Sequence, residues 1–267
     1  SVSPPTPRLL EDRVAFVTGA GSGIGQASAI LLAKEGARVG LLGRRPSALA
    51  ETVTAIREIG GEALPLAGDV SQAIDVHRAV EQLVDAYGRL DIVFANAGVN
   101  GLWAPVEEIE PEEWDETINI NLRGTFLTVK YAVPYLRRQG GSIIIDSSVN
   151  GTRMFSNMGA SAYATTKGGQ VSFGKMIAAE LARDKIRVNI ICPGAITTDI
   201  GRNTHTRNFN RVRKRIHYMD GAIPLTGGLP GTAEQVARLV LFLASDLSDL
   251  ITGTEIWIDG GESLIEG

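Results

Sequence analysis

The chain has 267 residues, 44% hydrophobic and 21% charged, with a formal net charge of −4. That profile suits one large α/β domain rather than two small ones, and its acidic balance gives no global reason to bind nucleic acid or an anionic membrane surface. A single cysteine, Cys192, excludes an intrachain disulfide framework and points to a reducing, cytoplasmic setting, and the longest apolar runs, such as 239–244, are too short to span a bilayer.

Residues 1–10 carry three prolines and no apolar signal core, which reads as a flexible leader, with 11–267 as the folded domain. From Arg13 onward, short β-branched or apolar runs alternate with longer segments of helical periodicity. The pattern predicts strands at 14–18, 38–42, 63–67, 91–95, 142–146, 187–191 and 255–258. Helices are expected between them at 23–35, 46–59, 72–87, 111–139, 160–184 and 232–245. Such alternation predicts a doubly wound, mostly parallel seven-stranded sheet with helices on both faces, a Rossmann-type α/β domain.

The first strand runs into Thr18-Gly19-Ala20-Gly21-Ser22-Gly23-Ile24-Gly25, followed at once by a helix. Glycines let the backbone turn sharply and present its N–H groups to a pyrophosphate at the helix N-terminus, where the dipole favours an anion. The second strand ends on Gly43-Arg44-Arg45, without the acidic residue that would hold the ribose hydroxyls of NAD. Arg44 and Arg45 could instead pair with the 2′-phosphate of NADP; the alternative is that they stack on adenine or sit in solvent. Asp69-Val70 and Asn96-Ala97-Gly98 close the third and fourth strands, at the edge where a dinucleotide would lie. Asp69 could equally cap a helix, and Asn96-Ala97-Gly98 could form only a turn.

On the helix expected over 160–184, Tyr163 and Lys167 fall one turn apart on one face. A free phenol has a pKa near ~10, and an ammonium group beside it favours the phenolate, bringing it towards general acid–base use. One position further on runs a stripe of small residues, Ala160, Ala164, Gly168 and Ser172, which predicts a close helix-to-helix subunit contact. The connection at 196–226 carries an uneven charge pattern: Arg202, Arg207, Arg211, Arg213, Lys214 and Arg215 occur there with no Asp or Glu between 201 and 218. These charges would attract an anionic substrate or carrier, or would pair with acidic neighbours on a solvated face.

Six motifs in order resemble the compact branch of the short-chain dehydrogenase/reductase family: T-G-x-x-x-G-x-G at 18–25, N-A-G at 96–98, Asn121 in I-N-L-R-G, Ser148 in S-S-V-N-G, Tyr163-x-x-x-Lys167 and Pro193-Gly194. The resemblance implies an NAD(P)-dependent, metal-independent oxidoreductase that interconverts a small ketone and a secondary alcohol, with NADP(H) preferred and NAD(H) as the other option. It implies that Tyr163 moves the proton, Lys167 binds the nicotinamide ribose, Ser148 hydrogen-bonds the reacting oxygen and Asn121 holds a water relaying protons to Lys167. Cofactor contacts are implied for Gly19, Ser22, Gly23, Ile24, Gly25, Asp69, Val70, Asn96, Ala97, Gly98, Pro193, Gly194, Ile196 and Thr198, with Tyr163, Lys167 and the two arginines. The substrate wall is expected from Trp103, Asn150, Met154 and Phe155, the resemblance implies that the basic connection at 196–226 is a substrate lid, and the assembly is expected to be a homotetramer or homodimer. Two departures stand out: the family's N-N-A-G is Ala95-Asn96-Ala97-Gly98 here, and the segment between Ser148 and Tyr163 runs longer than in simpler members. A dinucleotide-sensing regulator without turnover is the alternative function on the same fold.

Overall fold

A computed structural model describes residues 8–213 and 221–266. The chain begins with β1 (Val14–Thr18), α1 (Gly23–Lys34), β2 (Arg38–Gly43), α2 (Pro46–Glu58), β3 (Glu62–Ala67), α3 (Ala73–Tyr87) and β4 (Ile92–Ala95). The middle holds β5 (Gly101–Trp103), α4 (Pro111–Ile118), α5 (Gly124–Leu136), β6 (Gly141–Asp146), α6 (Ser161–Leu181) and β7 (Ile186–Pro193). It ends with β8 (Ile196–Thr197), β9 (Thr204–Thr206), β10 (Gly231–Thr232), α7 (Ala233–Ala244), β11 (Glu255–Ile258) and the short α8 (Glu262–Ile265).

Seven strands form one sheet in the order β11-β7-β6-β4-β1-β2-β3, every neighbouring pair parallel. Its central strands are apolar on both faces because helices cover both. Phe16, Val93, Ile143, Ile145, Val188 and Ile190 pack towards α3, α5 and α6. Ala15, Val17, Leu41, Phe94, Ile144 and Ile191 pack towards α1, α2 and α7. From β1 the chain winds outward to β2 and β3, then returns to β4 on the other side, so a crevice opens beyond the carboxyl ends of β1 and β4. Register brings Asp146 opposite Ile191 and Ala95 opposite Ile145, which aligns the strand ends that carry the conspicuous polar residues.

The single helix expected over 111–139 is interrupted. A π-helical turn at Asn119–Arg123 separates α4 from α5 and leaves Ile120 and Asn121 buried. Such an insertion widens the helix locally and re-aims its side chains. The leader boundary also moves, since Leu10 is buried in the core beside α1 and its amide donates to Glu35 O at 2.8 Å. Of the expected leader, residues 1–7 lie outside the described residues.

The small-residue stripe on α6 serves the chain's own packing over most of its length. A Cβ on Gly151 would lie 2.1 Å from Ala164 O, and one on Gly168 would lie 2.9 Å from Gly151 O. The stripe lets the 149–154 loop lie flat on the helix, and Ser172 alone of the four remains exposed.

Candidate active site

The glycine turn is held by the end of β4. Thr18 Oγ1 accepts from the amides of Asn96 and Ala97 at 3.0 Å each, and Asn96 Nδ2 donates to Thr18 O at 3.0 Å. Gly19 has φ +65°, and a Cβ there would fall 2.9 Å from Ala97 Cα. The turn therefore needs glycine for backbone sign and for space. Asn96 lines the cleft, but its amide group is committed to the turn. Gly25, expected as a cofactor contact, does not line the cleft: it faces Gly19 O, where a Cβ would stand 2.2 Å away, and so permits the turn to close.

Around the turn opens a cleft of about 740 Å³. Gly19, Ser22, Gly23, Ile24, Arg44, Arg45, Asp69, Val70, Asn96, Ala97 and Gly98 line one half; Ser148, Tyr163, Lys167, Pro193, Gly194, Ile196 and Thr198 line the other. Asp69 is shaped by its own turn: its Oδ1 accepts from the amide and hydroxyl of Ser71 at 2.9 and 2.8 Å. Arg44 and Arg45 are exposed at the end of β2. A cradle that a single Cβ would fill, beside the N-terminus of α1, fits a dinucleotide pyrophosphate.

In the other half, Tyr163 and Lys167 are buried on α6, at 8% and 3% exposure, with Lys167 Nζ 5.4 Å from the centre of the Tyr163 ring. Lys167 Nζ donates to Asp146 O at 2.8 Å. Ser148 Oγ accepts from the Asn150 amide at 3.1 Å, which leaves its own proton to be donated elsewhere. Asn121 does not reach the cleft wall. Fully buried, its Oδ1 accepts from Val99 N at 2.8 Å, and its Nδ2 donates to Val99 O at 2.9 Å and Thr166 Oγ1 at 3.1 Å. Its side chain pins the 98–100 segment to α6.

Two carboxylates on the wall escaped the sequence reading. Glu262, on α8, accepts from Ala195 N at 2.7 Å and secures the turn after Pro193, while burial raises its pKa. Asp146 ends β6 beside Lys167. Burial pushes its carboxyl up to about 6, against the downward pull of the Lys167 ammonium, and its Oδ1 has no partner among the described residues. Because that value lies above the ordinary 3.8, the folded chain binds this proton more tightly than the unfolded one. The resulting stability is full below 3.8 and is lost as pH rises through about 6. The difference corresponds to roughly 3 kcal/mol. Asp146→Asn is therefore expected to be more stable than the wild type at about pH 8, with the gap closing towards about pH 4. Denaturant unfolding across that range measures it, and a gap independent of pH contradicts the assignment.

On the substrate side, Trp103, Asn150 and Met154 line the cleft, joined by Asn100, Asn157, Ile200 and Asn203. Phe155 does not: it is 67% exposed and lies off the wall. The basic connection is fastened by two short parallel pairs, β5 with β9 and β8 with β10. Arg207 grips Glu113 with two bonds, NH2 to Oε1 at 2.6 Å and NH1 to Oε2 at 3.0 Å, and holds the Glu113 carboxyl below its ordinary value. Arg211 pairs with Glu108 and Glu107, and Arg213 lies over the Phe209 ring. Two of the cations read as an attractor for anions are thus neutralised by the 107–113 segment. Lys214, Arg215 and the Arg202 side chain lie outside the described residues. Among the described residues, no group of three or more His, Cys, Asp or Glu could hold a metal ion, and no helix is long and apolar enough to cross a membrane.

A family model described as enoyl-(acyl carrier protein) reductase matches residues 19–263. The chain belongs to the short-chain dehydrogenase/reductase family. It is a nicotinamide-dependent oxidoreductase by that membership. It is 47% identical to a 3-ketoacyl-ACP reductase from Sinorhizobium meliloti, whose structure superposes with a TM-score of 0.91 over 94% of this chain and 99% of that one. A 3-oxoacyl-[acyl-carrier-protein] reductase of Thermotoga maritima is 38% identical, covering 94% of this chain and 98% of that protein. A 3-ketoacyl-(acyl-carrier-protein) reductase from Brucella melitensis, solved in complex with NADH, is 33% identical with a TM-score of 0.83, over 95% of this chain and 99% of that one. These short-chain dehydrogenase/reductase structures share the fold across nearly the whole chain.

Proposed function

We propose that the chain interconverts a ketone and a secondary alcohol, with Tyr163 as the general acid–base. The observation that carries this reading is the convergence of Tyr163, Lys167 and Ser148 on one cleft with the glycine turn. When bound, the nicotinamide supplies the hydride donor or acceptor. In the reductive direction, Tyr163 gives its hydroxyl proton to the carbonyl oxygen as charge develops there. Ser148 donates a second hydrogen bond to the same oxygen, while one of its two acceptor lone pairs holds the Asn150 amide. Fixed donors of this kind stabilise a developing oxyanion without reorganising. Lys167 orients the ribose and places positive charge beside the phenolate, and Asn121 holds the floor on which they sit. The test is titration with NADPH and NADH, followed by absorbance assays on a ketone and alcohol panel; absence of dinucleotide binding removes the reading.

NADP is the preferred cofactor in this reading, because Arg44 and Arg45 stand exposed where an acidic residue would repel the 2′-phosphate. Arg44→Ala/Arg45→Ala is expected to weaken NADPH binding by about 10–100-fold, the worth of charged hydrogen bonds, with NADH changed by less than about threefold. An equal loss for both cofactors contradicts the assignment. A homotetramer or homodimer is also proposed, supported by Phe126 and Met176, large apolar side chains left exposed on α5 and α6. Light scattering at micromolar protein checks it. The cytoplasm suits Cys192, whose buried thiol is pushed up to about 12 and is inert as a nucleophile.

A further inference from the structure

Beyond Ser148 and Tyr163 the cleft wall is built from carboxamides. Asn100, Asn150, Asn157 and Asn203 line it, with Val99, Trp103, Met154 and Ile200 as apolar surfaces. These amides are partly bonded to one another and to the frame. Asn157 Nδ2 donates to Asn150 Oδ1 at 2.8 Å, and Asn100 Nδ2 donates to Thr204 Oγ1 at 2.7 Å. Asn150 Nδ2 and Asn157 Oδ1 have no hydrogen-bond partner among the described residues, so the bonded pair keeps both donor and acceptor capacity. Exchanging the O and N of both amides leaves the same complement, with donor capacity on one side chain and acceptor capacity on the other. A hydroxyl group donates and accepts at once, so it satisfies this pair in a way that a methylene or a carboxylate does not. Asn150 also anchors the reacting end, because its backbone amide binds Ser148 Oγ.

Among the described residues, the charges on this half of the wall sit elsewhere. Asp146 and Lys167 belong to the catalytic end, and Glu262 is bonded to Ala195 N. Arg207 and Arg211 turn away to Glu113, Glu108 and Glu107. The Trp103 ring, steered by the bond from its Nε1 to Asn100 O at 3.2 Å, offers a flat apolar surface of the kind that packs on the C–H face of a hydroxylated chain.

We propose that this cleft takes a neutral polyhydroxylated substrate, a short ketose or the matching polyol, with a hydroxyl beside the reacting carbon held by Asn150 and Asn157. The proposal rests on the oxidoreductase reading above. In the oxidative direction, the C–H bond of a secondary alcohol breaks with its electron pair leaving to NAD(P)+. The O–H proton goes to Tyr163, and the carbinol becomes the ketone of an α-hydroxyketone. The neighbouring hydroxyl is untouched and serves as the handle.

The experiment compares kcat/KM on matched pairs: short ketoses against the deoxy ketones of the same skeleton, with an acetoacetyl thioester of pantetheine as a third arm. A site built to bond a hydroxyl discriminates strongly against an analogue that lacks it, so a preference of about 100-fold or more for the hydroxylated members is expected. Asn150→Ala and Asn157→Ala should each shrink that ratio to about tenfold or less, with melting temperature and dinucleotide titration showing that the variants are folded. Should either variant fail to fold, the wild-type ratio alone decides. Equal efficiencies within a pair, a preference for the thioester, or dinucleotide binding without turnover of any ketose overturns the proposal and leaves the oxidoreductase reading standing. A wild type that binds no dinucleotide removes both.

Discussion

Tyr163→Phe is expected to lower kcat by about 10²–10⁴-fold, the usual contribution of a general acid. The change removes one oxygen and keeps the ring, which is 8% exposed and packed on α6. Lys167 retains its bond to Asp146 O, and the glycine turn and its Thr18–Asn96 clamp are untouched. Dinucleotide affinity should therefore stay within about threefold of the wild type, so the loss falls on the proton-transfer step. Single-turnover absorbance with calorimetric titration separates the two. Retention of more than about a tenth of wild-type kcat would show that another group supplies the proton.

Gly25→Ala carries the other large effect, on binding rather than on chemistry. Its Cβ would lie 2.2 Å from Gly19 O and 2.6 Å from Asn96 Nδ2, so a backbone carbonyl or the clamp itself must move. Overpacking of this kind costs about 1–3 kcal/mol or more. The movement displaces the same N–H groups that would face the pyrophosphate. We expect dinucleotide affinity to fall by about 30-fold or more and the melting temperature to drop, both measurable on one preparation. Wild-type affinity in this variant would mean that the turn does not hold the cofactor.

The central sheet could be read from sequence because buried parallel strands are short apolar runs with sharp ends. The strands expected at 14–18 and 255–258 coincide with β1 and β11, while the 187–191 expectation stops short of β7, which runs on to Pro193. The pairs β5–β9 and β8–β10 were missed because strands of two or three residues have no periodicity to detect. The π turn escaped for a different reason: Asn119–Arg123 continues a helical apolar pattern, and only its packing shows the extra residue. At the site, residues carried by a local motif were nameable, and the structure gathers most of them around one cleft. Asp146 and Glu262 were not, since Asp146 reads as the polar end of a strand and Glu262 sits on a four-residue helix after two glycines. The ion pair between Arg207 and Glu113 joins positions 94 residues apart, so the positive run at 201–218 looked unopposed until its neighbours in space were known.

Asn121 gives the two sides of the cleft different stiffness. By holding both backbone groups of Val99 and the hydroxyl of Thr166, it freezes the 98–100 segment when the chain folds, before any ligand arrives. The entropy of ordering that floor is thus lost once, at folding, and is not subtracted again from each binding event. The segment around Arg207 is held by the β5–β9 pair and, in addition, by surface ion pairs, which salt weakens. The floor of the cleft is accordingly insensitive to ionic strength, and the ion pairs of Arg207 and Arg211 are the contacts that salt would tune.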